Sequence, residues 1–117
     1  MSVRKITKEE MRLEKVGVPT GWFRFTIAGR ALRLSPTVIL RLQNIVNVEM
    51  NNRESFTIGH QFLVTVEAII DREGEVDHIH IKIYQMHFIS YVLLEEFAVN
   101  YNDFMEVLNT DLRKTDI

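Results

Sequence analysis

Two imidazoles and a carboxylate are the residues whose types and spacing come closest to chemistry. His78-Ile79-His80 sets two histidines two residues apart, and in a strand such residues point to the same face. Pairing with the preceding strand would put Glu67 directly across from them. Two neutral imidazoles and one carboxylate form a set able to hold zinc or iron. The plainer account is a strand face with a Glu–His pair across it, because an H-x-H with a single acid is a pattern of low specificity. Metal binding by Glu67, His78 and His80 is therefore the third-ranked function, and no cofactor is expected.

The second cluster joins an aromatic residue to arginines: Trp22, Arg24, Arg30 and Arg33. An indole that stacks on bases, with guanidinium groups tracking phosphates, is how single-stranded nucleic acid is often held. Trp and Arg are also enriched at the energetic centres of protein interfaces. A structural account would lay Trp22 against a neighbouring helix and pair the arginines with Glu9, Glu10 or Glu14. Other chemical signatures are missing from the sequence. The five glycines stand apart, so no phosphate-cradling loop forms, and no nucleophile elbow or metalloprotease pair is present.

The element that positions the histidines spans residues 60–88. Phe62, Val64, Val66, Ala68 and Ile70 make every even position apolar, and Ile79, Ile81 and Ile83 recur at odd positions between His80 and Lys82, the pattern of half-buried strands. Asp71-Arg72-Glu73-Gly74 supplies the turn. A four-residue loop pairs Ile70 with Glu75, Val66 with Ile79 and Val64 with Ile81, giving one apolar face. The other face then sets Glu67 opposite His78, Thr65 opposite His80, and Leu63 opposite Lys82. It also carries Leu63, Ile69, Val76, Tyr84 and Met86, more apolar surface than a solvated sheet face normally shows. These five residues are the predicted self-association surface of a homodimer.

Residues 22–34 read as a shorter hairpin around a Gly29-Arg30 turn, with Ala28 opposite Ala31, Ile27 opposite Leu32, and Phe25 opposite Leu34. Thr7-Lys8-Glu9-Glu10 resembles a capping box and predicts a helix over 8–16. Ser35-Pro36 is a strong helix start and predicts a second helix over 36–50. Ile89, Leu93, Phe97, Tyr101, Phe104, Leu108 and Leu112 recur at helical spacing and predict one long helix from 89 to about 113. The expected architecture is α+β in the order α-ββ-α-ββ-α, an antiparallel sheet of two β-hairpins with the helices packed on one face.

The length of 117 residues suits a single domain over 1–117. No apolar run is long enough for a membrane helix, the N-terminal segment lacks the core of a signal peptide, and there is no cysteine. A cytoplasmic location follows as the default. Net charge is −2, unevenly spread: residues 1–41 hold nine basic residues against three acidic, and residues 42–117 hold five against thirteen. The acidic part would repel a polyanion. The first-ranked function is therefore a non-catalytic accessory or regulatory factor that docks onto a protein partner and self-associates. A nucleic-acid-binding module using the Trp22, Arg24, Arg30 and Arg33 face ranks second.

Overall fold

Strand alternation prevails over helical spacing in two segments, residues 11–15 and 91–100. The computed structural model describes residues 3–16, 21–46 and 52–114. In chain order these form β1 (Arg4–Ile6), a 3-10 turn at Lys8–Glu10, β2 (Met11–Lys15), β3 (Phe23–Ile27), β4 (Arg30–Leu34) and α1 (Pro36–Gln43). There follow β5 (Arg53–Ile58), β6 (Phe62–Ile70), β7 (Val76–Met86), β8 (Tyr91–Asn100) and α2 (Tyr101–Lys114). Two sheets result: β1-β8-β7-β6-β5, in which β1 runs parallel to β8, and the antiparallel sheet β2-β3-β4.

The expected order of helix, hairpin, helix, hairpin, helix is therefore incorrect, and so is the single antiparallel sheet. Where a first helix was expected, Met11 and Leu13 are buried while Arg12 is exposed. That period of two lets this segment extend the first hairpin into a three-stranded sheet. Thr7 makes no side-chain cap; its hydroxyl donates instead to Glu9 at 2.6 Å and holds that carboxyl below its usual pKa.

The expected long helix from 89 also fails, for a specific reason. Ile89, Leu93, Phe97 and Tyr101 are spaced by four, a multiple of the strand period as well as a fair match to the helical one. Only the step of three from Tyr101 to Phe104 is exclusively helical, and α2 begins there. Asn100 marks the boundary: its Oδ1 accepts hydrogen bonds from the backbone N–H of Asn102 (2.8 Å) and Asp103 (3.2 Å), the N-cap role. The second helix starts as expected, with Ser35 Oγ accepting from Val38 N–H at 3.3 Å, but ends at Gln43. Its predicted continuation over 47–50 lies outside the described residues, as do the loop at 18–20 and the tail at 115–117.

Both hairpins form, each with its register moved by two residues. In the first, Ile27 faces Arg30, Phe25 faces Leu32 and Phe23 faces Leu34. The turn is Ala28-Gly29, both at positive φ (49° and 86°), a type I′ geometry whose twist matches that of the strands. In the second, Val66 faces Ile81, Glu67 faces His80 and Leu63 faces Tyr84. A shift of two leaves every side chain on its predicted face, so the apolar pattern could not distinguish these registers. Turn geometry decided between them. The exception is Val76, where an irregularity between Ile69 and Ile70 pairs Val76 with Ile70 and turns it towards the core.

Ala28 carries a Cβ in the left-handed region, which costs an L-residue roughly 1–2 kcal/mol. Ala28→Gly should therefore raise the unfolding free energy by about 0.5–1 kcal/mol, the remainder being offset by a more flexible unfolded chain. Urea denaturation would measure it.

A single core lies between the sheets and helices. Val64, Val66, Ile79, Ile81, Ile83, Phe97 and Val99 come from the large sheet, and Leu13, Phe25, Ile27 and Leu34 from the small one. Ile39 and Leu42 of α1 and Phe104 and Leu108 of α2 complete it, with the Phe104 ring edge-on to Phe25 at 6.3 Å. No described helix is long and apolar enough to cross a membrane.

Candidate functional site

On the face of the large sheet opposite the core, β7 presents His78, His80, Lys82 and Tyr84. Across β6 they meet Ile69, Glu67, Thr65 and Leu63; across β8 they meet Asn100, Ala98, Glu96 and Leu93. The expected metal residues do share this face. Their partners differ from expectation, however. His80 Nε2 lies 2.8 Å from Glu96, on β8, where the helical spacing predicts a helix, and His78 Nδ1 lies 2.7 Å from Asp77. The rings stand 6.4 Å apart. Each imidazole is thus held by its own carboxylate, and among the described residues no three His, Asp or Glu side chains converge on a point where a metal could sit. The sequence alone does not mark Glu96 as a partner of His80, because only the pairing of β8 with β7 brings the two together.

The arginine cluster is divided between two faces. Arg24 and Arg33 lie opposite each other on β3 and β4, and Arg24 reaches Glu14 at 3.6 Å. Trp22, just before β3, is half-buried, and its carbonyl accepts from Val16 N–H. Arg30 is elsewhere. It pairs across with the fully buried Ile27, so it leans along the core side, where it meets Glu95 at 3.0 Å and lies over the Phe62 ring at 5.8 Å. Its Nε is buried without a hydrogen-bond partner. Arg30 therefore serves to seal one edge of the core rather than to extend the Trp22 face. Arg30→Met would keep the apolar contact and remove the orphaned N–H, so it should change stability by less than about 1 kcal/mol in urea denaturation.

Of the predicted self-association residues, Leu63, Ile69, Tyr84 and Met86 are all half-buried. The most exposed apolar side chains stand elsewhere. Phe88 and Ile89, at the β7–β8 turn, are fully exposed, with Tyr91 at 60% and Val92 at 46% beside them; Leu40 on α1, at 59%, stands apart from this group. His87 N–H donates to Ser90 O across this turn at 2.9 Å, so the two apolar side chains project from a tight loop. The β5–β6 turn lies beside it, with Met86 N–H donating to Gln61 O at 2.8 Å. Residues 83–94 and 55–66 contain no Asp, Glu, Lys or Arg, so the two turns at this end carry no formal charge of their own, and the nearest charges are the Arg30–Glu95 pair beside Phe62. The other end, at the β6–β7 turn, carries Asp71, Glu73, Glu75 and Asp77.

The two sheet edges are also unequal. At the β5 edge, Arg41 from α1 donates to Ser55 O at 3.1 Å and pairs with Glu54 at 3.0 Å. At the other edge, β1 pairs only with Phe97, Ala98 and Val99. Among the described residues, Tyr91–Glu96 of β8 therefore pair with β7 on one side and with no strand on the other. Comparison with protein-family models, curated proteins and solved structures returned no match, so the function is read from this geometry alone.

Proposed function

We propose that this chain is a non-catalytic accessory or regulatory factor that works by docking, as a homodimer formed through the free half of β8. What supports the reading is the coincidence, at one corner, of an open strand edge with the four exposed apolar residues Phe88, Ile89, Tyr91 and Val92. An unpaired edge offers a row of backbone donors and acceptors to another strand. Natural sheets usually blunt such an edge with charge, as β5 does here with Arg41 and Glu54; on β8 charge appears only at the inner end of the open stretch, at Glu95 and Glu96, and Tyr91–Leu94 carry none.

The second copy is the occupant favoured by charge. The chain is acidic overall, so two copies repel one another over most approaches but not at this neutral corner. A twofold axis through the edge would set β8 antiparallel to its mate and continue the sheet across the pair, which is the isologous contact of a closed dimer. The experiment is sedimentation over a wide concentration range. A dimer is expected at micromolar protein, and a monomer at every concentration would overturn the reading.

A further inference from the structure

The outer face of the small sheet carries three arginines that no contact within the fold requires. β2, β3 and β4 send Leu13, Phe25 and Leu32 into the core and turn Arg12, Arg24 and Arg33 outward, all exposed. Glu14, Arg24 and Arg33 form one row across the three strands, and Arg12, Thr26 and Ala31 form the next. We infer that this face binds single-stranded nucleic acid, with phosphates on the three guanidinium groups and a base stacked on Trp22. The face belongs to the small sheet, so binding does not depend on the β8 dimer.

Arg24 and Arg33 stand directly opposite each other, and like charges so placed destabilise a sheet. One carboxylate shares their row: Glu14, 3.6 Å from Arg24. Arg12 and Arg33 have no ion pair among the described residues. Glu9 and Glu10 border the Arg12 end, where Thr7 engages the first and Arg4 the second. The other described carboxylates lie on the large sheet, its β6–β7 turn and α2. The pair therefore keeps positive charge together at a cost in stability, the kind of local conflict that marks a functional surface. With strands about 4.8 Å apart and two residues advancing about 6.7 Å, the three arginines cross the sheet on a diagonal of about 12 Å.

Trp22 decides what kind of polyanion fits. Val16 N–H donates to Trp22 O at 3.0 Å, which extends the β2–β3 ladder one step beyond Lys15 and Phe23. Alternation then sets the half-buried Trp22 on the same side as Arg24, so an indole flanks the arginine pair. The three cations are all arginines, whose planar forks match phosphate oxygens and also stack on bases. An acidic peptide would satisfy the charge and leave the indole unused. A nucleic-acid strand uses both, and only an unpaired strand has base faces free to stack.

Trp22 is the only tryptophan of the chain, so its fluorescence reports on this face. The test is a titration of the full chain with an oligothymidylate of about ten nucleotides, and with polyphosphate and polyglutamate as polyanions without bases. Saturable quenching by the oligonucleotide is expected at low salt. The logarithm of affinity should fall with the logarithm of salt at a slope of about −2, as three phosphate contacts on a single strand require. Arg33→Ala should reduce that slope to about −1.4 and weaken binding by about tenfold. It should not lower the melting temperature, because it relieves the opposed pair. Arg30→Met, at a cation on the core side, should bind as the native chain does. Polyphosphate should bind with little quenching. Absence of quenching at low salt, a slope near zero, or equal quenching by either base-free polyanion would overturn the assignment. So would binding that survives Arg33→Ala unchanged, or that Arg30→Met weakens as much.

Discussion

Replacing Phe88 and Val92 together by glutamate should convert a sedimenting dimer into a folded monomer. Burying a Phe or Val side chain is worth about 1.5–3 kcal/mol, and the twofold axis counts each loss twice. Putting a carboxylate in its place adds the cost of desolvating an unpaired charge. A weakening of the dimer by about a thousandfold or more is the conservative expectation, since every 1.4 kcal/mol is tenfold. The monomer itself should be nearly unaffected, because Phe88 is fully exposed and Val92 half so. Ile70→Glu is the control: an apolar residue nearly as exposed as Val92, at 37%, beside the acidic β6–β7 turn, where substitution should leave association unchanged. If the corner variant stays dimeric while Leu63→Glu with Tyr84→Glu dissociates, the interface is instead the sheet face of Leu63, Ile69, Tyr84 and Met86.

Phe104→Ala should destabilise the protein by about 3–5 kcal/mol, the range for emptying a large aromatic site in a core that relaxes only partly. Phe104 is completely buried and stands edge-on to Phe25. It belongs to the helix that joins the two sheets, since α2 packs on β2 as well as on β7 and β8. Against a typical total of 5–15 kcal/mol, the loss is a large fraction, and a lowered urea midpoint with unchanged m-value would be its signature. Tyr101, half-buried one turn earlier on α2, should cost distinctly less when changed to alanine. Equal effects at both positions would mean that α2 does not hold the sheets together through Phe104.

The sequence by itself determined the faces. Alternation in β3, β4, β6 and β7 assigned nearly every residue of those strands to core or surface correctly, because the strand period of two is a property of the local backbone. It also determined the start of α1, where Ser35 and Pro36 act on their own neighbours. The shared strand face of Glu67, His78 and His80 was legible for the same reason.

Pairing was decided only by the tertiary structure. A register moved by two leaves the pattern unchanged, so turn geometry had to place Glu67 opposite His80 and Ile27 opposite Arg30. β8 is the clearest case. A spacing of four satisfies helix and strand alike, and the segment becomes a strand by hydrogen-bonding along β7, a contact that no local propensity encodes. With β8 in place, Glu96 reaches His80 and β1 finds an edge to join. The same strand leaves Tyr91–Glu96 open and projects Phe88 and Ile89 from its turn. Both candidate sites depend on which strand lies beside which, and long-range backbone pairing sets that order.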